Sequence, residues 1–232
     1  IRDPRLFAKQ IATIDTLTGN RLTVAPGIGG SREDFDPAGV RFEKRGRLLD
    51  EHLAVLDAIT HHEHPVSFTG EHVTFANATF YPRPTNVRLW ITGDSEPALR
   101  RVVRWASGWF SSGWTSTEQY RQLGQRLDDL ATEAGRDPRS IARATDPFCC
   151  IASARDEAFE IATPSLVERY GSLERALVLS AVGSAADVRG QLRRLIESGL
   201  GYFELRFICH TMDSYLEMIQ RVADDVVPLL RS

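Results

Sequence analysis

A repeated change of period constrains this chain most: short apolar runs of strand character pass through a glycine into stretches with three- and four-residue helical spacing. The clearest case is a strand from Val87 to Ile91, a loop Thr92-Gly93-Asp94-Ser95 and a helix from Glu96 to Ala106. Downstream follow a short strand Gly108 to Ser111 and a helix Thr117 to Ala134. After the turn Gly135-Arg136-Asp137-Pro138 come a strand Ala144 to Ala152, helices across Asp156 to Leu179, and a helix Ala185 to Ser198. A strand Tyr202 to Ile208 and a closing helix Met212 to Leu230 complete the series. Upstream, Asp3-Pro4 is a helix start signal, and Leu6 or Phe7, Ile11 and Ile14 share a face before the stop at Thr18-Gly19-Asn20. Arg21 to Gly30 then reads as a buried strand ending in a glycine-rich loop, and Arg45 to Ile59 as a helix.

Residues 61–86 interrupt this rhythm. Val66 to Phe75 predicts a β-hairpin around Gly70, and Tyr81-Pro82-Arg83-Pro84 cannot be helical, so the segment is an insertion. The count is five strands, each followed by helix, which favours a parallel barrel over an open sheet. A (β/α)8 domain takes about 250 residues or more, and this 232-residue chain spends part of its length on the insertion. About three strands are therefore expected ahead of Ile1.

Several classes are disfavoured. A formal charge of −3, with Lys9 and Lys44 the only lysines, argues against a polyanion binder and hence against nucleic acid. No run approaches the ~20 apolar residues of a membrane span, and no signal-peptide pattern opens the chain, so a cytoplasmic location is expected. Three cysteines, two of them adjacent at Cys149 and Cys150, make neither a disulfide framework nor a zinc site. His61, His62 and His64 lie on the insertion without an i, i+4 histidine pair, which reads as a solvated turn rather than a metal site.

Gly93-Asp94-Ser95 is the first candidate site. It stands between a strand and a helix N-terminus, where backbone N–H groups, the helix dipole and the Ser95 hydroxyl favour a phosphate. Asp94 would contribute through its backbone, since its carboxylate repels phosphate. The competing reading is that Asp94 or Ser95 simply caps the helix. Gly27, Gly29 and Gly30 lack dinucleotide-fold spacing and either let backbone approach a cofactor or make a turn. His210 follows the last predicted strand and Arg206 lies within it, positions from which either could meet substrate or cofactor; the competing reading for a strand arginine is pairing with a carboxylate. Tryptophans are more often core or interface residues than flavin stackers, and Trp109 and Trp114, near the predicted mouth, are the better candidates of the four.

The segments Asp3 to Leu22, Phe42-Glu43-Lys44-Arg45-Gly46, Val66 to Glu71, Pro82-Arg83-Pro84, Thr92-Gly93-Asp94-Ser95 with Ala98 to Arg101, Gly108-Trp109-Phe110, and Val182-Gly183-Ser184 occur in an order that resembles the luciferase-like monooxygenase superfamily. The resemblance runs nearly end to end. It departs in the fourth-strand loop, where Pro26 and Gly30 stand in place of the family's frequent glycine and tryptophan.

The resemblance implies an α/β fold, a (β/α)8 TIM barrel of the bacterial luciferase type that is incomplete here, with residues 1–232 forming one partial barrel domain. It implies reduced FMN at the C-terminal strand ends, with Gly93, Asp94 and Ser95 as the phosphate segment; beside it, Gly27 and Gly29 are the further candidates for cofactor contact and Arg206, His210 and Trp109 those for an organic substrate. A homodimer and a flavin reductase partner follow from the same likeness. The resulting expectation is a flavin-dependent monooxygenase using dioxygen. A deazaflavin (coenzyme F-420) hydride transferase and a non-catalytic flavin-binding or partner subunit stay open beside it. The catalytic residues are not identifiable.

Overall fold

The computed structural model describes residues 2–83, 87–113 and 115–230, and the chain divides into two compact units, Ile1–Trp109 and Phe110–Ser232.

In the first unit, helix α1 (Pro4–Leu17) begins where Asp3 accepts a hydrogen bond from the Arg5 N–H at 2.9 Å and Pro4 supplies a fixed φ. Its far end is tied down by Asp15, which is buried and accepts from the Leu22 N–H at 3.1 Å. That bond aims the chain into β1 (Thr23–Val24), a much shorter strand than the sequence predicts. A helical turn α2 (Arg32–Phe35) buries Phe35, and α3 (Arg45–His61) buries Leu53, Val55, Leu56 and Ile59. Burying each such side chain contributes roughly 1.5–3 kcal/mol. Val55, Leu56 and Ile59 pack with Ala8 and Ile11 of α1.

The hairpin β2 (Val66–Thr69) and β3 (Thr74–Ala78) forms within the interrupting segment. Glu51 of α3 fastens its turn, one carboxylate oxygen accepting from the N–H groups of His72 and Val73 at 2.8 and 2.6 Å. Strand β4 (Arg88–Thr92) then pairs in parallel with β1, and α4 (Glu96–Trp105) follows it.

Strand β5 (Gly108–Ser111) leads into the second unit, where α5 (Thr117–Glu133) opens with a capping box between Ser116 and Gln119. The predicted strand Ala144 to Ala152 is two segments, β6 (Ala142–Thr145) and β7 (Phe148–Ile151), and Tyr202 to Ile208 is likewise β9 (Tyr202–Phe203) and β10 (Arg206–Phe207). The break is slight. Ala144 faces Tyr202, Thr145 faces Phe203, Arg206 faces Phe148 and Phe207 faces Cys149, so one register persists across Pro147, which has no N–H to give.

Helices α6 (Arg155–Tyr170) and α7 (Leu173–Leu179) precede a strand that the sequence reading did not count, β8 (Ser180–Gly183). It pairs in parallel with β7. All four of its residues are buried, so it lacks the alternation that marks a half-exposed strand. The five-strand count is corrected accordingly. Helices α8 (Ala185–Glu197) and α9 (Met212–Arg221) cover this unit's core with α6. Cys149 and Cys150 are free thiols inside that core, and burial pushes them up to about 12 and about 11, which suppresses the reactive thiolate. Among the described residues, no helix is long and apolar enough to cross a membrane.

Candidate functional site

The first unit gathers Gly27, Gly93 and Trp109. The β1 and β4 ends are joined where the Thr92 N–H donates to the Pro26 carbonyl at 3.1 Å. Gly27 lies directly against the Thr92 hydroxyl, and Gly29 lies against the Phe35 ring. Trp109 is wholly buried, and its indole N–H donates to the Gly93 carbonyl at 2.9 Å. The tryptophan thus fixes the peptide that begins the Gly93-Asp94-Ser95 turn. Trp114 and Pro84 lie outside the described residues.

Gly93 has φ +121°, a conformation other residues adopt only under strain. This sharp turn delivers the chain to Ser95 at the N-cap of α4, with φ −81° and ψ 152°. Ser95 occupies the cap position yet makes no side-chain capping bond. Its carbonyl accepts from Ala98 and Leu99 at 2.8 and 3.1 Å, while its exposed side chain is left outside the cap. The Glu96 carboxylate is drawn to Arg100 at 2.7 Å, which offsets its negative charge beside the turn. The chemistry available is anion binding by a helix start and a hydroxyl.

Beyond β1, a cavity of 570 Å³ is lined by Phe7, Ala25 to Gly29, Phe35 and His52, and Gly93 to Ser95 are not part of its lining. Burial holds the His52 imidazole below the ordinary histidine range, which favours the neutral ring. His52 falls within the helix predicted from Arg45 to Ile59, and no signal in the sequence marks it for a role.

Arg206 and His210 belong to the second unit. Arg206 forms an ion pair with Asp146, a buried carboxylate, and its guanidinium lies 5.7 Å from the Phe148 ring centroid. The carboxylate partner weighed from sequence is therefore present. Burial raises the Asp146 carboxyl, with Arg206 opposing it. Asp146 was not singled out in the sequence, although an acidic residue before a proline inside an apolar run is a usable signal. His210 is exposed just ahead of Thr211, the N-cap of α9. Among the described residues no group of three or more His, Cys, Asp or Glu could hold a metal ion.

Residues 1–200 match the family described as luciferase-like monooxygenase. This chain belongs to that family. Among its relatives, an uncharacterized protein of Mycobacterium tuberculosis is 34% identical over 137 residues, covering 59% of this chain and 46% of that protein. An FMNH(2)-dependent dimethylsulfone monooxygenase of Pseudomonas fluorescens is 26% identical, covering 72% of this chain and 48% of that one. The chain thus spans about half the length of the curated relatives it matches. Among solved structures, a secondary alcohol dehydrogenase dependent on coenzyme F-420 superposes with a TM-score of 0.83 at 18% identity, covering 99% of this chain and 76% of that one. That likeness establishes the fold, the α/β architecture of the luciferase-like barrel enzymes.

Proposed function

We propose that this chain carries the phosphate-binding turn of a flavin-dependent oxidoreductase, a monooxygenase acting on a small organic substrate. The observation that carries the proposal is the Ser95 turn: a glycine with φ +121°, a helix start, and a serine whose side chain makes no capping bond. Such a turn fits the phosphate of FMN. Ser95 would donate its hydroxyl, the start of α4 would supply its dipole, and Asp94 would contribute backbone alone. Trp109 would keep the turn in place through the Gly93 carbonyl. Gly27 and Gly29, at the edge of the cavity that His52 lines, would let the ring system approach the backbone closely. Reduced FMN, when bound, supplies the electrons for dioxygen chemistry, and the protein's part is orientation and exclusion of water.

A second reading is a hydride transferase using coenzyme F-420, favoured by the overlap of fold with an F-420-dependent dehydrogenase. Cofactor retained on purification separates the two, yellow flavin absorbance against the blue fluorescence of a deazaflavin. The phosphate turn itself is tested by comparing FMN with riboflavin, which differ in that group. Fluorescence titration should show FMN binding about tenfold or more tightly, the worth of one charge-assisted hydrogen bond. Equal affinities would remove Gly93 to Ser95 from the site.

A further inference from the structure

The outer edge of β8 is finished by an imitation of a strand. Gln191 of α8 accepts the Val182 N–H at 2.8 Å and donates its own Nε2–H to the Val182 carbonyl at 3.2 Å. A side-chain amide therefore stands where a neighbouring peptide would stand. On the inner side the Ala152 N–H donates to the Gly183 carbonyl at 3.2 Å, in register with β7. Peptides alternate sides along such a strand, so Ala181 and Gly183 face β7 while Ser180 and Val182 face outward.

Ser180 is only 7% exposed, and among the described residues its outward N–H and carbonyl have no partner. A buried peptide left in this state is costly, which makes it a place where a ligand gains affinity. A cavity of 360 Å³ opens beside it, with Pro147, Leu177, Leu179 and Leu195 forming an apolar side, Ser116, Thr145 and Gln191 a polar one, and Arg194 at its exposed side. That is room for about a dozen water molecules by liquid volume.

We propose that this cavity binds a small molecule with an amide edge, an N–H beside a C=O as in a lactam. That edge would pair with the Ser180 peptide as Gln191 pairs with Val182. The apolar walls take the carbon ring. The site lies wholly within the second unit, so its occupancy is separable from cofactor binding at Gly93 to Ser95.

The test titrates isotope-labelled full chain with δ-valerolactam and, separately, with its N-methyl derivative, which keeps the ring and carbonyl but has no N–H. The lactam should shift the Ser180 amide resonance and slow its exchange with solvent. The N-methyl compound should bind about tenfold more weakly, the loss of one hydrogen bond. A crystal structure with lactam should place the ring between Pro147 and Leu195. Equal binding of the two, binding of neither at millimolar concentration, or ordered water alone in the cavity of a lactam-soaked crystal would overturn the proposal.

Discussion

Two turns in this molecule are built alike and end differently. Gly93 closes β4 and Ser95 caps α4; Gly183 closes β8 and Ser184 caps α8. Both glycines have positive φ, +121° and +142°. At the second turn Ser184 and Asp187 satisfy each other: the Ser184 N–H and hydroxyl donate to the Asp187 carboxylate at 3.0 and 2.6 Å, and the Asp187 N–H returns to the hydroxyl at 3.4 Å. At the first turn the corresponding third helical position is Ala98, which has nothing to return. One helix start is sealed by its own side chains, and at the other the serine makes no side-chain capping bond. The same backbone device serves structure in one place and, in our proposal, binding in the other.

The largest effect should come from Gly183→Ala. A Cβ there would lie 2.5 Å from the Asp187 Cβ in addition to the φ penalty. A loss of about 3 kcal/mol in urea unfolding is expected. Gly93→Ala meets only the Ala98 Cβ at 3.3 Å and should cost less, about 1–2 kcal/mol for the conformation alone. Equal costs would show that the two turns are crowded to the same degree, and the comparison would lose its basis.

Ser95→Ala should weaken FMN about tenfold by fluorescence titration while leaving the urea midpoint almost unchanged. A destabilised protein with intact FMN affinity would make Ser95 a cap after all. Ser184→Ala should behave in the opposite way, losing about 1 kcal/mol of stability with FMN affinity untouched.

The smallest effect concerns acid. Hydrogen bonding from Ser184 holds the Asp187 carboxyl below its ordinary value. A carboxyl depressed in the folded state adds stability above its unfolded pKa and loses it as pH falls toward the folded one. Melting temperature should therefore fall slightly below the ordinary aspartate range, and Asp187→Asn should flatten that acid limb. An unchanged acid limb in the variant would remove Asp187 from the account.

Much of this was legible in the chain itself. The helix from Glu96, the hairpin around Gly70 and the start signal at Asp3-Pro4 are local, set by residues a few positions from the backbone they shape. The strand Ser180 to Gly183 escaped because four buried residues carry no alternation, and its partner, Phe148 to Ile151, lies about thirty residues away. Separation along the chain likewise hid the Asp146 pairing with Arg206 and the clasp of Glu51 on the His72 and Val73 amides.

By itself, then, the sequence determined the alternation of strand and helix, the position of the glycine-serine turns, and the family resemblance that residues 1–200 bear out. Tertiary structure decided which polar groups are already spoken for. Trp109 is committed to the Gly93 carbonyl, Gln191 to Val182, and Ser184 to Asp187, while the Ser95 side chain is not committed to a cap. The reason is physical: propensity and period act over neighbouring residues, whereas a hydrogen bond is filled by whatever packing brings within about 3 Å.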